Sequence, residues 1–220
     1  MKQLPLEISF RSLVGRENFI VSECNALALA SIDQWPDWRG NCRALNLVGP
    51  SGAGKSHLAS IWQSMIRKSH LLDGLQADKA LPDLAFYVLD GVAANKVWDE
   101  EALFYCFNRC VDDKGGILLL SKIPVGQMDW RLPDLRSRMR AVNVVRIGSP
   151  DDGLLYALLN KYFLDRQMAA PPEMLSYIVN RMERSFAYVQ VIAAVLERDS
   201  IAKKKPLSIT LARAAFESFM

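Results

Sequence analysis

The chain has 220 residues, half of them apolar and 23% charged, the make-up of a soluble globular protein with room for one large or two small domains. Its net charge of +3 is too small to point to nucleic acid by itself, and four cysteines without a C-x-x-C pair and two histidines do not make a metal framework. No apolar run reaches membrane-spanning length and the N-terminus lacks the basic-then-apolar layout of a secretion signal, so a cytoplasmic protein without membrane contact is expected.

In chain order, residues 1–9 read as a short extended arm, with Pro5 blocking helix and Leu4, Leu6 and Ile8 alternating. A helical pattern runs from Asn18 to about Ile32, followed by a loop carrying Trp35, Pro36 and Trp38. Ala44–Val48 reads as a buried strand, and Leu58, Ile61, Trp62 and Met65 then recur at helical spacing. Residues 70–82, with Gly74 and Pro82, are weakly patterned and do not place a strand. Strands are predicted at 85–90, 117–121 and 143–147, with a helix over 100–111. Cys106 and Cys110 fall one turn apart on that helix and read as core packing. Strands separated by helices make an α/β protein, a parallel sheet with helices on both faces. After Pro150 the strand pattern stops. Helices are predicted over 151–167, from Pro171-Pro172 to Met182, over 186–201 and over 209–219, a separate small all-helical module. Lys203-Lys204-Lys205 reads as a solvated loop.

The segment Gly49-Pro50-Ser51-Gly52-Ala53-Gly54-Lys55-Ser56 is a full match to the P-loop pattern, between a predicted strand and an amphipathic helix. Its glycines let the backbone approach a phosphate, and the turn points N–H donors at it from a helix N-terminus. Lys55 is expected to reach the outer phosphates and the Ser56 hydroxyl to hold Mg²⁺. Asp90 ends the strand Phe86–Asp90, where a Walker B aspartate of the Mg²⁺ shell belongs. The residues after it are Gly91, Val92, Ala93 and Ala94, with no carboxylate until Asp99, so hydrolysis is expected to be slow or absent. Arg136, Arg138 and Arg140 alternate in what reads as a loop. Their spacing leaves open a solvated patch or an arginine finger, a role that suits a planar, permanently charged guanidinium.

P-loop, Walker B strand, a strand ending in Ser121, the Leu135-Arg136-Ser137-Arg138 segment and a helical lid together resemble the AAA+ ATPases. Within them, Phe10-Arg11-Ser12-Leu13-Val14-Gly15-Arg16-Glu17-Asn18 is similar to the adenine-side segment of the replication initiator DnaA, and Leu132-Pro133-Asp134-Leu135-Arg136-Ser137-Arg138 to that family's arginine-finger box. The resemblance covers roughly residues 8–219. It implies an AAA+ nucleotide-binding domain over 10–149 and a helical lid over 150–220. Val14, Gly15, the P-loop and His57 are implied around bound ADP or ATP, Ser56 and Asp90 around Mg²⁺, and Arg138 as the finger.

Two features set the chain apart from DnaA. It ends after the lid, so the helix-turn-helix domain that reads origin DNA is not expected. Gln3-Leu4-Pro5-Leu6 is similar to the short motif by which bacterial proteins dock on the replicative sliding clamp, the β subunit of DNA polymerase III, with Gln3, Leu4 and Leu6 as its contacts. An ordinary N-terminal strand is the other reading of those four residues. Together the two features resemble the DnaA-related regulatory inactivators of DnaA, and the Trp35-Pro36-Asp37-Trp38 loop is similar to their alphaproteobacterial form. Partners implied are the clamp, DnaA and, through the clamp, DNA; a homo-oligomer is left open. The departures are Gly91 in place of an acid, a sensor residue that is either Ser121 or Lys122, and Ala187 where a lid arginine is expected, with Arg184 three residues upstream. They favour a nucleotide-holding regulator with weak or no ATPase of its own. The alternatives are an autonomous ATPase of the DnaC-like helicase-loader type and a degenerate scaffold that binds clamp or DnaA.

Overall fold

The computed structural model describes residues 15–40, 42–66, 68–74, 86–93 and 97–217. Five parallel strands form one sheet: β1 Ala44–Val48, β2 His70–Leu72, β3 Phe86–Asp90, β4 Gly116–Ser121 and β5 Asn143–Arg146, in the spatial order β2-β3-β4-β1-β5. Its helices are α1 Ala26–Asp33, α2 Lys55–Ser64, α3 Glu100–Asp112 and α4 Pro133–Ala141, with a 3₁₀ turn at Arg16–Asn18 before them and another at Val125–Gln127. Four more follow: α5 Asp152–Leu164, α6 Pro172–Val179, α7 Phe186–Lys203 and α8 Ile209–Glu217.

The central strands are buried on both faces, as parallel strands must be. Their side chains alternate between two cores. Leu45, Leu47, Val88, Leu118 and Leu120 face α1 and α2, whereas Tyr87, Leu89, Ile117 and Leu119 face α3 and α4. Each such aliphatic side chain contributes about 1.5–3 kcal/mol on burial. On the first face, Trp38 stacks on Trp62 with centroids 5.2 Å apart, and Trp35 meets both edge-on. Gly116 makes room for this group, since a Cβ there would lie 2.6 Å from the Trp35 ring. A third core belongs to α5–α8, among them Leu155, Phe163, Ile178 and Leu196. Asp99, Asp151 and Ser185 cap α3, α5 and α7 by accepting from the backbone N–H three residues on.

Several local expectations are corrected. His70–Leu72 is a strand, short and half-exposed at the sheet edge beside β3, too brief to leave a pattern. The arginine segment is helical, because Pro133 starts a helix that buries Leu135 and Met139 four residues apart. The pattern at 18–32 resolves into the 3₁₀ turn and the shorter α1. Met65 caps α2 and is 43% exposed, since the helix ends at Ser64.

Candidate nucleotide site

The site forms at the C-terminal ends of β1, β3 and β4. Gly49 follows β1, and its N–H donates to the Ser121 carbonyl at 3.1 Å, tying the loop to the end of β4. Gly52 and Gly54 have φ of +80° and +84°, the left-handed region open to glycine, and Gly54 is the residue from which α2 starts. Lys55 Nζ donates to the carbonyls of Gly49 at 2.7 Å and Pro50 at 2.8 Å, arching over the loop. Burial holds its pKa below the ordinary lysine value; the Asp90 carboxylate opposes that and the charge of Lys122 adds to it. The Ser56 hydroxyl donates to Asp90 Oδ2 at 3.2 Å. Two hard oxygen donors so close suit Mg²⁺, which takes one or two protein oxygens and completes its shell with water and phosphate. Among the described residues there is no group of three or more His, Cys, Asp or Glu side chains that could hold a metal ion.

The described residues before α1 reach the same place. His57 Nε2 lies 2.9 Å from the carbonyl oxygen of Gly15, and Phe19 meets the His57 ring edge-on at 5.3 Å while its own ring covers Gly54. Gly15 and His57 are thus brought together at the start of α2. Val14 and the arm residues Gln3, Leu4 and Leu6 lie outside the described residues.

A cleft of about 670 Å³ opens from the loop, lined by Ser51, Lys55, Asp90, Lys122 and Asp129 among others. The positions directly after Asp90 in it are Gly91, Val92 and Ala93, none of them an acid. The Gly91 carbonyl accepts from Trp98 Nε1 at 3.2 Å, and Val92 turns into the core. Asp99 is spent on capping α3. Of the two sensor candidates, Ser121 is occupied elsewhere: its hydroxyl donates to the Ile123 carbonyl at 2.7 Å and accepts from Asn46 Nδ2 at 2.9 Å. Lys122 lines the cleft beside it. From the lid, Phe186 packs on Gly52, where a Cβ would lie 3.2 Å from that of Phe186. Ala187 beside it is exposed and brings no cation. Arg184 forks onto Asp152 at 2.8 and 3.0 Å and holds that carboxyl below its ordinary pKa.

Arg138 stands at the other end of the sheet. Its cleft is lined by Arg39, Gly40 and Ala44, at the start of β1, whereas the P-loop follows the end of that strand. Its Nη2 donates to Asn108 Oδ1 at 2.5 Å and its guanidinium sits 4.6 Å above the Phe104 ring, both on α3. Arg136 and Arg140, one helical turn apart, are exposed.

Sequence reasoning missed Asn46. It is fully buried in β1 and donates to the Leu119 carbonyl and to Ser121, while its Oδ1 accepts from the Val125 N–H. It thereby fixes the end of β4 and the turn after it; a polar side chain in the middle of a buried strand was the signal. Asn46→Ala leaves the Val125 N–H without a partner and is expected to cost about 2–3 kcal/mol of stability. A denaturant titration reads this directly, and a loss within error of zero overturns the bracing role. Asp129 was missed as well, because only the fold brings it to the cleft.

No protein-family model matches the chain. Solved structures do. Domain III of DnaA from Thermotoga maritima is 18% identical with a TM-score of 0.75, over 94% of this chain and 96% of that one. AMPPCP-bound DnaA from Aquifex aeolicus is 16% identical with a TM-score of 0.63, over 83% of this chain and 64% of that one, so the chain spans under two thirds of its length. The Holliday junction branch migration motor RuvB from Thermotoga maritima is 15% identical with a TM-score of 0.65, over 93% of this chain and 71% of that one. The strand order, the P-loop at the end of β1 and these likenesses agree: the chain has the AAA+ P-loop NTPase fold, in the form that DnaA domain III shares.

Proposed function

We propose that the chain is a negative regulator of replication initiation of the kind represented by Hda, the regulatory inactivator of DnaA, in its alphaproteobacterial form. In this reading residues 1–9 are a docking arm, 10–149 the nucleotide-binding body and 150–220 the lid. The P-loop residues Gly49–Ser56, with Val14, Gly15 and His57, hold ADP or ATP, and Ser56 and Asp90 hold Mg²⁺, which neutralises phosphate charge. Gln3, Leu4 and Leu6 dock on the sliding clamp, which brings the protein to DNA in the cytoplasm. The body packs against ATP-bound DnaA and presents Arg138 to the partner's γ-phosphate; DnaA then hydrolyses its own ATP and becomes inactive.

The observation that carries this reading is the separation of two halves of a catalytic apparatus on one sheet. Among the described residues the P-loop end has Lys55, Ser56 and Asp90, with Gly91 and not an acid directly after Asp90 and no lid cation, while Arg138 lies at the opposite end, where it cannot serve its own loop. A protein so built holds a nucleotide and supplies its arginine to a neighbour. The lid meets the loop through Phe186, an apolar contact that does not discriminate ATP from ADP.

The test is hydrolysis of DnaA-bound labelled ATP in the presence of this protein and clamp loaded on DNA. Prompt hydrolysis is expected only when all three are present. The protein alone is expected to turn over ATP very slowly, since neither Gly91 nor Ala187 supplies a catalytic group. Alanine at Gln3, Leu4 and Leu6 together is expected to remove both clamp binding and the stimulation. Brisk ATP turnover by the protein alone, lost in Lys55→Ala, would replace this reading with that of an autonomous ATPase.

A further inference from the structure

β5 is the outer strand of the sheet on the β1 side. Along a parallel strand the backbone groups of successive residues point to opposite edges. The Ile147 N–H, just past β5, donates inward to the Val48 carbonyl at 2.7 Å, and the Gly148 N–H donates outward to the Cys24 carbonyl at 2.9 Å. Counting back along the strand, Asn143 and Val145 face β1, whereas Val144 and Arg146 turn their N–H and C=O groups away from it. Among the described residues nothing pairs with that outer edge before Gly148.

A cleft of about 510 Å³ wraps this edge. Leu27, at the start of α1, borders it on one face of the sheet, and Gln127 and Arg140 border it on the other, with Val144 and Arg146 between them. Val145 packs on the core of α1 and α2, so alternation puts the side chains of Val144 and Arg146 on the α4 face. Leu27 is 67% and Val144 40% exposed, apolar surface left in water beside unpaired backbone groups. The described lining includes two arginines and no carboxylate.

Three properties therefore coincide: an open strand edge, apolar surface and positive charge. An extended acidic peptide answers all three. A second copy of the chain joined edge to edge about a two-fold axis would set these arginines against their own copies. Nucleic acid would use the arginines and leave the strand edge and Leu27 unmet.

We propose that the outer edge of β5 accepts an extended acidic segment of a protein partner as a sixth strand. Main-chain hydrogen bonds to Val144 and Arg146 hold the segment, and its alternating side chains decide which sequences fit. Asp or Glu residues on the α4 face meet Arg140 and Arg146, and apolar residues at the intervening positions cover Leu27. The groove needs neither bound nucleotide nor Arg138.

The experiment uses the full chain and a fluorescein-labelled nine-residue peptide of alternating aspartate and valine. Saturable binding is expected by anisotropy. Amide hydrogen exchange at Val144 and Arg146 is expected to slow roughly tenfold in the complex, and that at Val145 and Ile147, already paired to β1, to stay as it was. Arg146 also borders the P-loop, so the charge test is made at Arg140. Arg140→Glu is expected to raise Kd roughly tenfold, and a lysine–valine peptide is expected not to bind. Val144→Pro removes one outward donor and spares the β1 ladder, and is also expected to raise Kd roughly tenfold with circular dichroism unchanged. If proline disturbs the strand, the same peptide N-methylated along its backbone is tested on the parent chain and is expected to fail. No binding of the aspartate–valine peptide, equal binding of its N-methylated form, or unchanged exchange at Val144 and Arg146 in the complex would each overturn the proposal. So would equal binding of a single-stranded oligonucleotide, or self-association of the chain that Val144→Pro abolishes.

Discussion

Arg138→Ala is expected to abolish the stimulation of DnaA-bound ATP hydrolysis while leaving nucleotide binding intact. An arginine finger supplied in trans is worth on the order of 10³–10⁵ in rate, roughly 4–7 kcal/mol of barrier. The side chain sits at the far end of the sheet from Lys55, so its loss leaves the P-loop untouched. Its own contacts, one hydrogen bond to Asn108 and the face of Phe104, bound the structural cost to about 1–2 kcal/mol. Arg138→Lys is expected to fail as well, because an ammonium lacks the planar fork. Arg136→Ala and Arg140→Ala, on the opposite, exposed side of α4, are the controls. Full stimulation by Arg138→Ala, or loss confined to Arg136 or Arg140, would assign the trans contact elsewhere.

Lys55→Ala is expected to eliminate binding of ADP and ATP. The ammonium closes over the loop on two carbonyls, and the lysine of a P-loop is the side chain that reaches the outer phosphates. Its partly buried position makes the free protein tolerant of the change, since only two carbonyl contacts go and a desolvated cation goes with them. The stability effect therefore depends on ligand. At a nucleotide concentration a hundredfold above Kd, the parent gains about 2.7 kcal/mol from mass action and the variant none. Calorimetric titration with each nucleotide, and melting curves with and without it, separate these terms. Native affinity in the variant would remove the P-loop as the binding site.

Much of this site is legible from contiguous residues. The P-loop is eight consecutive positions between a strand and a helix, and Asp90 closes a strand whose apolar run is unmistakable, so neither needs the fold. Elements whose signal is spread out or short fared differently. Three residues at a half-exposed edge left β2 unseen. In α4 the eye follows the alternation of Arg136, Arg138 and Arg140, while the physics follows Leu135 and Met139 at helical spacing behind Pro133. The departure of Arg138 from its two neighbours is a property of the helix and invisible in a loop reading. Asp129 reaches the cleft only because of which strand ends the parallel order brings together, and only the topology supplies that.

The indoles of Trp35, Trp38 and Trp62 carry a consequence for observing the molecule. Trp38 and Trp62 lie nearly parallel, 14° apart in plane, with Trp35 turned across both at 5.0 and 5.3 Å. Chromophores at such separations share their excitation, and the sign and shape of their absorption of polarised light depend on the mutual angle. Residues from the loop after α1 and from the P-loop helix thus form one optical unit. Its near-ultraviolet signal requires α1, α2 and the sheet to be seated together, so it is lost with side-chain packing even where backbone helicity persists.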